Sequence, residues 1–93
     1  MEEISMARDA RELETAMRSR IASLFEQVAR EQQKSLAPLR DDLRLIECGL
    51  DSLSFALIVA RLEDALGCDP FASAQRFPVT FGEFVRMYRD FRR

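Results

Sequence analysis

A chain of 93 residues with 47% hydrophobic and 32% charged side chains reads as one small globular domain, too well balanced for disorder and without an apolar run long enough to span a membrane. Its formal charge of −2 gives no concentrated basic surface for nucleic acid, and the lack of histidine removes serine–histidine and cysteine–histidine catalysis. Only three glycines and three prolines interrupt it, which favours helix over a turn-rich β fold. The charged N-terminus has no signal-peptide apolar segment, so the expected location is cytoplasmic.

Residues 1–11 are polar and are expected to be a flexible tail, leaving 12–93 as a single domain. From about Glu12 to Lys34, Leu13, Met17, Ile21, Leu24 and Val28 recur every three or four positions and form one stripe of an amphipathic helix. Pro38 stops it, and Ser35 to Gly49 is a long connection. That connection is too apolar to be a solvated linker, so Leu43, Leu45 or Ile46 should enter the core. Asp51 or Ser52 opens a second helix running to about Leu66. Its apolar stripe is Leu53, Ala56, Leu57, Ala60 and Leu66, widened by Ile58, Val59 and Leu62. Gly67 is a good C-terminal cap, and Pro70 confirms the stop.

Pro70 to Gln75 suits one short helical turn with Pro70 at its first position. Thr80 and Glu83 match a capping box ahead of a last helix carrying Phe81, Phe84, Val85, Tyr88 and Phe91. Phe77 and these phenylalanines are read as packing, and Arg86, Arg89, Arg92 and Arg93 as a solvated face. The fold class is therefore all-α: three main helices and one short one, with a long first loop, packed as a small four-helix bundle. Cys48 and Cys68 flank the second helix at opposite ends, out of disulfide reach, and are read as free thiols.

The most informative stretch is Glu47-Cys48-Gly49-Leu50-Asp51-Ser52-Leu53-Ser54. It sets a serine hydroxyl at the start of an apolar helix, beside the positive end of the helix dipole, where a phosphodiester is tolerated. Gly49 allows a close turn, and Leu50 and Leu53 can anchor the chain on either side of Ser52. Asp51 is the puzzling member, because its charge repels a phosphate. The plainer alternative is that Asp51 or Ser52 only caps the helix.

Gly-Leu-Asp-Ser-Leu at 49–53 resembles the attachment site of the acyl and peptidyl carrier proteins, and the helical pattern from about Leu13 to Phe91 resembles their fold. The resemblance implies an acyl-carrier-protein-like bundle in which Ser52 bears covalent 4′-phosphopantetheine taken from coenzyme A by a phosphopantetheinyl transferase. Gly49, Asp51 and Leu53 complete that motif, and the aspartate would help the transferase bind its metal ion. The arm's thiol would then hold an acyl or aminoacyl thioester, with no catalysis by the carrier.

Fatty-acid-type carriers usually display acids along the outer face of the second helix. Here Ser54 and Leu57 occupy two positions that are often acidic, and only Glu63 and Asp64 remain late in the helix, beside Arg61. The chain is more similar to peptidyl carriers, and among them to free-standing aminoacyl carriers. That likeness implies a small amino acid such as glycine or alanine, an ATP-dependent ligase that loads it, a downstream acceptor enzyme and a monomeric carrier. Leu53, Phe55 and Leu57, with Arg61, are candidate partner-docking residues, the competing role for the three apolar ones being core packing. The rival functions are an acyl carrier for fatty-acid or polyketide-type groups, and an unmodified helical interaction module.

Overall fold

The computed structural model describes residues 5–67, 69–72 and 77–91, with the side chains of 5–11, 13 and 91 left aside. Three helices dominate: α1, Ser5–Glu31; α2, Ser52–Leu66; and α3, Phe81–Phe91. Two 3-10 turns, Leu45–Glu47 and Pro70–Ala72, lie in the connections. The fold is all-α, a small bundle in which α1 packs against both α2 and α3 and the second 3-10 turn packs on α3. No helix among the described residues is long and apolar enough to cross a membrane.

The helix α1 begins at Ser5, seven residues ahead of the expected start at Glu12. Alanine, arginine and methionine are strong helix formers, so residues 5–11 continue the helix by propensity where no apolar period marks it. Met17, Ile21 and Val28 are buried as their spacing requires, while Leu24 is only half-buried and the side chain of Leu13 lies outside the described set. The central residue is Phe25, fully buried and missed by that stripe. Its ring meets Phe55, Phe81 and Phe84 edge-on at 5.8, 5.1 and 5.3 Å, the arrangement favoured by the ring quadrupole. Positions 24 and 25 both lie one turn beyond Ile21, and the aromatic end of α3 selects 25.

In α2 the buried residues are Ser54, Ile58 and Leu62. Of the expected stripe, Leu53 is 59% exposed and Ala56 and Ala60 are exposed, Leu57 and Leu66 are half-buried, and the core face is carried by Ile58 and Leu62, which only widened it. A helix apolar around most of its circumference has no direction of its own, so packing against α1 decides which face is core. In α3, Phe81, Phe84, Val85 and Tyr88 are buried as expected, and Phe91 lies outside the described side chains. Phe77 is half out of the core at 51% exposure, against the expectation of packing. Arg89 reaches Glu14 at 3.2 Å and Asp90 at 3.0 Å, so this arginine fastens α3 to α1 instead of only facing solvent.

The long connection is held by backbone bonds between distant segments. The Leu45 N–H donates to the Val79 carbonyl at 2.8 Å, and the Phe81 N–H donates to Leu43 at 2.9 Å. They flank a single antiparallel bridge between Arg44 and Thr80. Leu45 enters the core at 2% exposure, Leu43 is half-buried, and Ile46 is turned outward at 80%. Arg18 secures the same loop from α1: its guanidinium pairs with Asp41 at 2.9 Å, donates to the Leu39 carbonyl at 3.1 Å and lies 5.0 Å from the Phe81 ring centre. The Thr80 hydroxyl accepts from the Glu83 N–H at 3.2 Å, and the Glu83 carboxylate accepts from the Val79 N–H at 2.8 Å. Cys48 is a buried free thiol whose pKa burial pushes up, and Cys68 lies outside the described residues.

Candidate functional site

The start of α2 is set by a chain of local constraints. Gly49 sits at φ +104°, a backbone region costly for any residue with a Cβ. A Cβ there would lie 2.0 Å from the Ser35 carbonyl oxygen, so the absence of a side chain lets segment 35–37 lie directly on 48–49. The Ala37 N–H donates to the Cys48 carbonyl at 2.9 Å and locks the two together. Leu50 then drops into the core at 9% exposure. Asp51 is extended and caps α2, its Oδ1 accepting from the Ser54 N–H at 2.9 Å. Ser52 follows as the first helical residue, with its side chain exposed.

Capping and exposure are thus divided between neighbours. Asp51 satisfies the helix end, and Ser52 stands free at the positive end of the dipole. The Asp51 carboxyl is held below the usual carboxylate range, first by the Ser54 amide and further by Lys34, whose Nζ lies 3.5 Å from Oδ2. The other acids of this region are paired as well: Asp41 with Arg18, Asp42 with Arg40 at 3.5 Å, and Glu47 with Arg44 at 3.8 Å. The run of acids along the sequence is therefore a set of ion pairs on the surface. Arg18 and Lys34, which come from outside the run, were not legible from local sequence.

Beside Ser52 opens an apolar groove of about 950 Å³. Asp51 and Ser52 line one end, and α2 forms one wall through Ala56, Val59 and Ala60 as far as Glu63. Phe55 and Phe71, both half-buried, and the exposed Ile46, Phe77 and Val79 also line it. Phe77 meets Phe55 at 6.1 Å and stacks on Phe71 at 5.4 Å. This explains the exposure of Ile46, Phe77 and Val79: they edge a groove. The sequence offered Phe77 as packing and Ile46 as a core candidate, because apolarity alone does not separate a groove lip from a core.

Gly49, Asp51, Ser52 and Leu53 form one continuous turn, as their adjacency requires. The candidate docking residues do not form one patch. Leu53, Leu57 and Arg61 succeed one another at four-residue spacing, while Phe55 lies about a third to nearly half a turn away from them and packs into the groove. Arg61 is bound to Glu31 of α1 through two bonds, 3.1 and 2.7 Å, and each holds the other in its charged form. Ser54 is fully buried, so it takes no part in the outer face of α2. Among the described residues no cluster of side chains could hold a metal ion.

An exposed serine on the first turn of a helix, at the mouth of an apolar groove, suits a covalent arm attached through phosphate. Residues 19–75, more than half of the chain, match the model of the family described as phosphopantetheine attachment site. The chain belongs to that family. No curated protein and no solved structure gives a significant match. Members of the family are non-catalytic carrier modules, so the chain is a phosphopantetheine carrier and not an enzyme. The matched span contains α2 and the whole turn from Gly49 to Leu53.

Proposed function

We propose that Ser52 carries the 4′-phosphopantetheine arm, and that the arm holds an aminoacyl group for delivery to partner enzymes. The observation that carries the site assignment is the exposed Ser52 side chain, first in α2, with the capping role taken by Asp51. In loading, the Ser52 Oγ attacks the pantetheine-side phosphorus of the coenzyme A pyrophosphate. The Oγ–P bond forms as the P–O bond to the adenosine bisphosphate half breaks, and the hydroxyl proton passes to a base on the phosphopantetheinyl transferase. The helix N-terminus stabilises the phosphodiester that remains. The arm supplies a thiol on which the cargo is held as a thioester, and its tether raises the cargo's effective concentration at each partner.

The partners on this reading are the transferase, an ATP-dependent amino acid ligase and a downstream acceptor, met by the chain as a cytoplasmic monomer. Leu53, exposed one residue from Ser52, and Leu57 offer them an apolar surface. A small amino acid such as glycine or alanine is the proposed cargo. A second reading, an acyl cargo of fatty-acid or polyketide type, is favoured by the apolar groove that starts at Ser52. The test is to load the chain with transferase and coenzyme A, then offer a source-organism lysate with ATP and either single amino acids or carboxylic acids. Intact mass should show the phosphopantetheine adduct followed by an aminoacyl adduct. Acylation by carboxylic acids alone selects the second reading, and no phosphopantetheine adduct refutes both.

A further inference from the structure

Lys34 is the chain's single lysine; every other cationic side chain is an arginine. Its backbone is tied on one side to the end of α1 and on the other to the segment that runs into Asp51 and Ser52. Gln33, at φ +58°, turns the chain out of α1, and the Lys34 N–H closes on the Ala29 carbonyl at 2.8 Å. Immediately beyond it, the Ser35 carbonyl lies over Gly49 and Ala37 donates to Cys48. The Lys34 side chain is thereby delivered to the start of α2, with Nζ 3.5 Å from Asp51 Oδ2. Asp51 cannot turn its carboxylate away freely, because Oδ1 is held by the Ser54 amide. Nearby arginines are committed elsewhere: Arg40 to Asp42, Arg44 to Glu47 and Arg61 to Glu31.

We propose that Lys34 is a positioning residue of the modification site: it neutralises Asp51 in the unmodified chain and is shared between Asp51 and the phosphodiester once Ser52 is loaded. The proposal rests on Ser52 being the attachment point. Loading places a second fixed anion one residue from Asp51, and two anions so close repel unless a cation lies by them. A compact ammonium on a flexible stem, with three donors, can touch a carboxylate oxygen and a phosphate oxygen together. A guanidinium fork tends instead to close on one partner, as Arg61 does on Glu31. An ion pair as exposed as Lys34–Asp51, at 38% and 50%, adds little to folding, so its effect belongs at the modification site.

The test uses the full chain as wild type, Lys34→Ala and Lys34→Arg, with a phosphopantetheinyl transferase and coenzyme A, followed by intact mass over time. At low salt Lys34→Ala should load about fivefold more slowly and Lys34→Arg within about twofold of wild type. The deficit should shrink as salt is raised. Unmodified variants should melt together, which separates this effect from misfolding. Carbon-13 labelling gives one lysine Cε resonance and leaves the ammonium and its three donors intact. That resonance should shift on loading as a second anion arrives beside the ammonium. Wild-type loading by Lys34→Ala, or a Lys34 resonance that does not move on loading, overturns the proposal and leaves Ser52 as the attachment point. No loading of the wild-type chain overturns both.

Discussion

Gly49→Ala meets two separate obstacles in the backbone. Its φ of +104° is a region where a residue with a Cβ carries about 1–3 kcal/mol of strain. The new methyl would also lie 2.0 Å from the Ser35 oxygen and 3.2 Å from the Ser35 carbonyl carbon, both main-chain atoms that cannot rotate aside. Segment 35–37 must then lift, and the Ala37–Cys48 hydrogen bond, worth about 1 kcal/mol, is lost with it. The total is about 2–4 kcal/mol, a large share of the roughly 5–15 kcal/mol that holds a domain folded. At about 4–8 °C per kcal/mol for a chain of this size, Tm should fall by at least about 8 °C. Gly67→Ala is the matched control: its φ is also positive at +73°, but a Cβ there meets nothing within 4 Å. It should cost only the left-handed strain, about 1–2 kcal/mol. Thermal unfolding followed by circular dichroism compares the two directly. If Gly49→Ala melts within a few degrees of Gly67→Ala, the close seating of segment 35–37 on Gly49 is wrong.

Phe25→Ala should lower stability by about 3–5 kcal/mol in urea unfolding, and Leu24→Ala by clearly less, because only Phe25 is fully enclosed. Equal losses would contradict the placement of Phe25 at the junction of the three helices. Asp51 has a folded pKa below its unfolded value, so its contribution is present above the unfolded pKa and disappears as pH falls through the folded one. Asp51→Asn, which keeps a capping acceptor, should therefore show a shallower loss of Tm below about pH 4 than wild type. Identical acid limbs would count against the Asp51 contacts. Leu57→Asp should slow charging by a ligase more than it slows loading by the transferase, since Leu57 lies on the helix turn beyond Leu53. Equal slowing of both steps would argue against an apolar docking surface there.

Much of the site was legible because its determinants are local. Gly49-Leu50-Asp51-Ser52-Leu53 announces a turn and a helix start, and Gly67 and Thr80 mark helix ends with residues chosen for their own backbone needs. The choice between Asp51 and Ser52 as cap was not legible, since either side chain can accept the amide bond. Nor was the buried face of α2: its apolar surplus hides the direction that Ser54, Ile58 and Leu62 take toward the core. The pairing of Arg44 with Thr80, and of Lys34 with Asp51, joins segments far apart in the chain and leaves no local period to read.

Peptide mapping by tandem mass spectrometry, after treatment with a phosphopantetheinyl transferase and coenzyme A, addresses the attachment site itself. The arm should be found on Ser52 alone. Ser52→Ala should remain entirely unmodified while its stability stays within about 0.5 kcal/mol of wild type, because Asp51 and not Ser52 caps α2. An arm on any other side chain, or a Ser52→Ala chain that still accepts one, would contradict the assignment of Ser52.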